Sequence, residues 1–377
     1  MKNLIIILLL TVVLGICGCN LKTAYEREEN GRWSGGQAWQ WYQEQPWLVG
    51  CNFSPSTAIN QLEMWQEKTF DLETIDRELG WVHGIGMNFV RVYLHDMLWT
   101  QDKKGFLSRI EKFLQIADKH DMKVMFVLLD SCWNPHPQLG KQPEPIPHLH
   151  NSGWVQSPHI DLMKDPSRYD ELKDYVGGIL SEFKNDDRVL LWDLYNEPGH
   201  TNNSSYRVYE PKNKQELALQ LMKKLFEWVH EVDPSQPVSI CVWNWEWKKG
   251  IDIHPLNQYA LDHSDIITFH TYLSPKDAQS KSMELLEYGR PMICTEYMAR
   301  ATGNTFAAML PFFKQHKIGA CNWGFVAGKT QTQYPWESWN RKFTAEPKVW
   351  FHDIFRADGT PYDLEEVSLI KALSHDD

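Results

Sequence analysis

Two glutamates, Glu197 and Glu296, are the residues whose positions in this sequence most directly suggest chemistry. Each follows a short apolar run, over residues 192–195 for the first and 291–295 for the second. Two carboxyl groups about 5 Å apart can cleave a glycosidic bond by double displacement, one attacking the anomeric carbon while the other protonates the leaving oxygen. The alternative is a pair of ordinary solvated carboxylates, which the matching positions of the two residues make less attractive.

Such a pair needs a scaffold that brings both residues to one place, and the sequence contains a repeated pattern of that kind. Eight short apolar runs recur, and their length and their content of Val, Ile, Leu and Phe suit strands buried on both faces. The predicted strands cover residues 47–53, 88–94, 123–129, 189–195, 237–243, 265–270, 291–296 and 318–323.

Amphipathic stretches separate most of these runs and predict helices between the strands. One apolar stripe at helical spacing comprises Phe106, Ile110, Phe113, Leu114 and Ala117, and another comprises Leu217, Leu221, Leu225 and Val229. The alternation predicts an α/β fold, a (β/α)8 TIM barrel with a single catalytic domain, in preference to an open doubly wound sheet. In such a barrel Glu197 and Glu296 would end strands four and seven and approach each other across the mouth.

The motifs around these glutamates resemble those of the clan A glycoside hydrolases, and most closely family 5. The resemblance rests on Asn196-Glu197-Pro198 after strand four and Thr295-Glu296 after strand seven, and it covers nearly the whole mature chain. It implies net retention of anomeric configuration, with Glu197 as acid/base and Glu296 as nucleophile. As the acid, Glu197 should be protonated at rest, with a pKa raised by burial and by the Glu296 charge.

The same resemblance implies roles for residues at other strand ends. Arg91 matches a strand-two arginine that would keep Glu296 ionised, and Asn196 matches an asparagine that binds the sugar 2-hydroxyl. His270 and Tyr272 match a strand-six pair that contacts the acid/base or sugar and the nucleophile, respectively. Trp323 matches the tryptophan beneath the sugar being cleaved. The chemistry requires neither a metal nor an organic cofactor.

Composition agrees with a carbohydrate substrate. The 377 residues carry a formal net charge of -11, which argues against nucleic acid as a partner, and they include 18 tryptophans, whose flat faces pack on sugar rings. The implied enzyme is a retaining O-glycosyl hydrolase of a β-mannan, β-glucan or xylan type of polysaccharide or oligosaccharide. A transglycosylase with the same residues and a non-catalytic glycan-binding lipoprotein are the alternatives, and the sequence decides neither endo nor exo action nor the oligomeric state.

The first residues predict export. A charged start and an apolar run too short for a stable transmembrane anchor precede Cys19, in an arrangement that resembles a bacterial lipobox. We expect a lipoprotein signal peptide over residues 1–18, a lipidated Cys19 with a tether over 19–36, and the barrel over 37–377. Asn20 after the lipidated residue favours the outer membrane of a Gram-negative bacterium, so membrane contact would be through the anchor only.

Two further patterns are weaker. The long connection over residues 131–166 holds His136, His148, His150 and His159, for which cleft lining or a surface position is favoured over a metal site. The segment 324–330 superficially resembles a phosphate-binding loop, but it has three residues between its glycines where that motif needs four. We therefore predict a substrate-facing loop there, continuing through Gln331, Thr332, Trp336 and Trp339.

Overall fold

The computed structural model describes residues 26–201 and 206–374 and shows strands alternating with helices. The strands are β1 (Val49–Asn52), β2 (Phe89–Tyr93), β3 (Lys123–Asp130), β4 (Val189–Asn196), β5 (Val238–Ser239), β6 (Ile267–His270), β7 (Met292–Glu296) and β8 (Gly319–Asn322). The helices are α1 (Gly35–Gln43), α2 (Gln61–Trp65), α3 (Leu72–Gly84), α4 (Asp96–Lys119), α5 (Ile160–Met163), α6 (Lys173–Phe183), α7 (Lys214–Val232), α8 (Pro255–His263), α9 (Pro275–Leu286), α10 (Phe306–Gln315) and α11 (Leu364–Ser374).

The eight strands form one parallel barrel. They pair in the order β5-β4-β3-β2-β1-β8-β7-β6, and a parallel bridge between Val242 and Phe269 joins the two ends of that order. The amide of Val242 donates to the Thr268 carbonyl, and the amide of His270 donates to the Val242 carbonyl, each at 3.0 Å. The prediction of a single (β/α)8 TIM barrel is therefore confirmed.

Strand five is the element that departs most from its predicted bounds. The apolar run over 237–243 predicts a longer strand than Val238–Ser239. The ladder stops because the amide of Ile240 donates to Ser264 Oγ at 3.0 Å instead of to a neighbouring strand. The chain remains extended as far as Val242, which returns to the barrel wall.

The helices present the predicted apolar faces to the barrel. All five residues of the first stripe are fully buried on α4, and the four residues of the second are buried on α7. Burial of such stripes against the strands is the main source of stability for helices of this kind.

The segment before α1 closes the base of the barrel, meaning the amino-terminal ends of the strands. Trp33 is fully buried, and its amide donates to Asp265 Oδ1 at 2.6 Å. Arg290 donates to the Trp33 carbonyl at 2.8 Å, and Tyr42 of α1 donates to the Met292 carbonyl at 3.3 Å. The prediction of a tether over residues 19–36 is thus wrong for residues 26–36, because an apolar tryptophan in this polar segment anchors it to the barrel.

The predictions for residues 1–25, including the signal peptide and the lipidated Cys19, lie outside the described residues. No helix in the described part of the chain is long and apolar enough to span a membrane. The thiols of Cys51, Cys241, Cys294 and Cys321 are buried at strand positions or beside them.

Candidate active site

The carboxyl ends of β4 and β7 bring Glu197 and Glu296 together at the mouth of the barrel. An oxygen of each carboxylate and a nitrogen of His270 all lie within 4.8 Å of one another. Both side chains are largely buried, with 12% and 7% of their surfaces exposed. The predicted convergence is present, and the spacing suits the closer arrangement of two catalytic carboxyls, which is that of double displacement.

The carboxyl group of Glu296 accepts hydrogen bonds from three donors. Arg91 Nη1 and the Tyr93 hydroxyl donate to Oε1, each at 2.8 Å. The Tyr272 hydroxyl donates to Oε2 at 2.8 Å. Donors on both oxygens hold the Glu296 carboxyl group in one orientation.

Arg91 is itself fixed by polar groups of β4. It donates to Asp193 Oδ2 at 2.7 Å and to Asn196 Oδ1 at 2.8 Å. The Asn196 amide in turn donates to Asp130 Oδ1 at 2.9 Å. Arg91 and Asp193 are completely buried. This network orients Asn196, and removing one member would leave a buried charge without its partner.

Glu197 is surrounded differently, by imidazoles and a thiol. His270 Nδ1 lies 3.0 Å from Oε1, and His200 Nδ1 lies 2.9 Å from Oε2. The Cys132 thiol donates to Oε2 at 3.3 Å. The backbone of Glu197 has φ 44°, a left-handed conformation that turns the chain away from β4 at the residue that carries the carboxylate.

These contacts act on the pKa of Glu197. Burial raises the pKa of Glu197, but His200 and His270 lower it by more, so the pKa lies well below its usual range. Burial opposes charge on His270, yet Glu296 and Cys241 raise the pKa of this imidazole well above its usual value. The expectation of a raised pKa for Glu197 is therefore wrong, because the two imidazoles lower the pKa of this carboxyl group by more than burial raises it.

A cavity of about 460 Å³ opens above the two carboxylates. Trp323, directly after β8, lies in its wall and meets the ring of Tyr93 edge to face at 5.8 Å. Trp133, Trp154 and Asn151 from the loop after β3 also line it, which agrees with the expectation that residues 131–166 form a wall. Aromatic lining with a few polar groups is typical of small-ligand sites.

The loop histidines have separate surroundings. His150 lines the cavity, and His148 lies 2.6 Å from the Tyr334 hydroxyl. His136 contacts the Tyr209 ring, and His159 precedes α5. Among the described residues, the groups close enough to hold a metal are Cys132, Glu197 and His200, and Glu197, His270 and Glu296. None of these four histidines belongs to either group.

The loop after β8 faces the cavity through fewer residues than predicted. Trp336 lines the cavity, while Gln331 donates to the carbonyl of Ile146 at 2.7 Å in the facing loop. Thr332 donates to Asp353, and Trp339 contacts the Tyr206 ring. Only Trp336 of these four is thus placed to meet a substrate directly.

Three residues of the site were missed from the sequence. Tyr93 could have been found, because it follows Arg91 by two positions in a strand and so points to the same face. His200 follows Glu197 by three positions, a weak signal without the turn that brings it back. Cys132 comes from the distant loop after β3, and no local signal predicts its contact with Glu197.

Comparisons with known proteins match this architecture. A family model described as cellulase (glycosyl hydrolase family 5) matches residues 56–328. A search of curated proteins found no match. A GH5_18 structure from Streptomyces cattleya in complex with GlcNAc is 12% identical in sequence. The match covers 88% of this chain and 79% of that chain, with a TM-score of 0.57.

Two mannanase structures are also similar in fold. The endo-beta-1,4-mannanase from Thermotoga petrophila is 14% identical, with 89% of this chain and 77% of that chain covered and a TM-score of 0.55. The endo-1,4-beta-mannanase from Rhizomucor miehei is 16% identical, with 86% and 97% covered and a TM-score of 0.52. At these identities the structural likeness concerns the fold.

Proposed function

The chain belongs to glycosyl hydrolase family 5 and is an O-glycosyl hydrolase, and from this premise we propose that it cleaves β-glycosidic bonds with retention. Glu296 is the nucleophile and Glu197 the acid/base. The observation that carries the proposal is the approach of the two carboxylates to within 4.8 Å, with the guanidinium of Arg91 on Glu296 only. Identical residue types thereby receive different charge environments and different roles.

In the first step Glu296 attacks the anomeric carbon, and Glu197 protonates the leaving oxygen. The proton held by His270, whose Nδ1 is 3.0 Å from Glu197, is available to Glu197 as the substrate oxygen approaches. In the second step Glu197 deprotonates a water molecule that attacks the glycosyl-enzyme. Asn196 binds the sugar 2-hydroxyl, and Trp323 packs against the sugar ring.

The substrate is a β-linked polysaccharide or oligosaccharide of the mannan, glucan or xylan type. Similar structures include an endo-beta-1,4-mannanase and a GH5_18 protein in complex with Manb1-4GlcNAc, so a β-1,4-mannosidic bond is the first one to test. The alternative of a non-catalytic glycan-binding protein has no observation in its favour, since both carboxylates and their donors are intact.

The roles of the two glutamates are tested with aryl β-glycosides. Glu296→Ala should abolish turnover, while Glu197→Ala should lower it by about 10²–10⁴-fold, the usual contribution of a general acid. Azide should partly restore Glu197→Ala by attacking the glycosyl-enzyme in place of activated water. Glu182→Ala, at an exposed position on α6, is the control. Full activity in both active-site variants would contradict the assignment.

We propose that Cys19, outside the described residues, carries a lipid that attaches the enzyme to the outer membrane. The packed segment from residue 26 lies at the base of the barrel, so the anchor would leave the mouth facing away from the membrane. Cys19→Ala should move the protein from the membrane fraction to the soluble fraction without changing turnover. Persistent association of this variant with membranes would rule out the anchor.

A further inference from the structure

The proposed chemistry indicates which end of the cavity holds the leaving group and which end holds the sugar that is attacked. Because Glu197 protonates the leaving oxygen, the leaving group lies on the Glu197 side, next to His200 and Trp133. The sugar attacked by Glu296, which we call the glycone, lies on the other side, over Tyr272 and Trp323. This assignment rests on the proposed function.

The glycone end is walled by aromatic rings. Tyr272, which donates to Glu296, meets the ring of Trp336 edge to face at 4.9 Å. Trp154, which also lines the cavity, meets the ring of Trp323 with 5.7 Å between the ring centroids. His150 lies beyond Trp336, with 6.4 Å between the ring centroids.

A row of hydrogen bonds, here called the clasp, joins the loops after β3 and β8 behind these rings. The amide of Asn151 donates to the Thr330 carbonyl at 2.7 Å. The His148 amide donates to Gln331 Oε1 at 2.8 Å, and the His150 amide donates to Ser338 Oγ at 3.0 Å.

Gln331 is the central residue of the clasp. Besides accepting from His148, its amide donates to the carbonyls of Ile146 and Leu149, at 2.7 and 3.2 Å. The loop is further braced by Lys329, whose amino group lies 2.7 Å from Glu63 Oε1. These contacts therefore attach the loop after β8 to the loop after β3, across the mouth, and to the segment after β1.

The topology shows what the clasp covers. In the barrel β3 and β8 are separated by β2 and β1, so a bridge between their loops passes over the ends of those two strands. A glycan continuing beyond the glycone, away from Glu197, would have to pass through the clasp. On the leaving-group side, the lining in the described part of the chain comes largely from His200 after β4 and from Trp243, Asn244 and Trp245 after β5, of which Asn244 is exposed.

We infer that the enzyme is exo-acting: the cavity accepts one terminal, non-reducing sugar, and the rest of the chain leaves through the open side. The glycone pocket would release a monosaccharide in each cycle. The half-buried Trp243 and Trp245, whose rings lie 5.5 Å apart, supply flat apolar faces for the first leaving-group sugars.

The test uses β-1,4-linked manno-, gluco- and xylo-oligosaccharides labelled at the reducing end, each with a free or a 4-O-methylated non-reducing terminus. The wild-type protein should release monosaccharide and shorten the labelled chain by one unit at a time. The capped substrates should react at least about 100-fold more slowly, because a closed pocket excludes the added group. Labelled fragments of mixed length at the earliest times would overturn exo action.

Failure of the proposed function gives a different result. Exo action and endo action both require hydrolysis of at least one oligosaccharide in the panel. A protein without glycosidase activity would cleave neither the oligosaccharides nor the aryl glycosides. Mixed-length fragments would therefore overturn the exo inference alone and leave the retaining mechanism standing.

The role of the clasp is tested separately with Gln331→Gly. This change removes three side-chain hydrogen bonds and suits the positive φ of 54° at this position. It should reduce the discrimination against capped substrates by about tenfold, equivalent to 1.4 kcal/mol. His136→Ala, at an exposed position in the same loop, should leave it unchanged. Equal discrimination in wild type and Gln331→Gly would overturn the role of the clasp.

Discussion

At the scale of single residues, the acid/base is controlled by side chains from several parts of the chain. His200 follows Glu197 by three positions, and its ring lies between Trp133 and Trp243, with ring centroids 5.0 and 4.9 Å away. His270 approaches from β6. We regard His200 as a positioning residue, because it acts on Glu197 and the glycosidic oxygen is protonated by Glu197 itself.

His200→Asn should therefore change the acid step selectively. His200 lowers the pKa of Glu197, so its removal should raise that pKa and shift the basic limb of the pH profile of kcat/KM to higher pH. Because the Glu197 carboxyl group also loses the contact with His200 that orients it, turnover should fall by about tenfold or more for alkyl glycosides and less for nitrophenyl glycosides, whose leaving groups need little protonation.

His136→Asn is the matched control for that experiment, since His136 contacts the Tyr209 ring and not Glu197. An equal loss with both classes of leaving group, with an unmoved pH profile, would assign His200 a purely structural role.

At the scale of elements, the two ends of the barrel have separate tasks. The loops after the strands form the cavity and the clasp, whereas the segment 26–34 and α1 cover the base. Trp33 connects this segment to the strands through Asp265 and Arg290. Since the base contributes no side chain to the cavity lining, stability and activity should respond differently to changes there.

Trp33→Ala should lower the free energy of unfolding by about 3–5 kcal/mol, the usual cost of truncating a buried tryptophan. The KM at a temperature where the variant is folded should stay within about twofold of wild type. Thermal unfolding and steady-state kinetics measure the two effects, with Trp39→Ala, partly exposed on α1, as the milder comparison. A large change in KM would show that the base is coupled to the site.

At the scale of the whole molecule, the two ends of the barrel differ. The packed segment from residue 26 lies at the base, and both carboxylates lie at the opposite end. Within the mouth, the clasp covers β1 and β2, while residues after β4 and β5 line the other side of the cavity. Long substrates would therefore approach from one side of the mouth.

The sequence by itself determined the barrel, and it predicted that Glu197, Glu296 and five residues around them meet at one end of it. Apolar runs that must be buried on both faces reveal strands, and residues directly after such runs must lie at one end of a parallel barrel. Arg91, Asn196, His270, Tyr272 and Trp323 all reach the mouth for that reason.

Only the tertiary structure decided the contacts between segments distant in the chain. Cys132 approaches Glu197 across 65 positions, and the clasp spans more than 180 between His148 and Gln331. No local pattern encodes such pairs, because they depend on how long loops fold back over the strands. The lowered pKa of Glu197 depends on His270 from β6 as well as on the nearby His200, and the closure of one end of the cavity depends on the clasp. The sequence therefore did not predict the direction of the Glu197 pKa shift, and it left the choice between endo and exo action open.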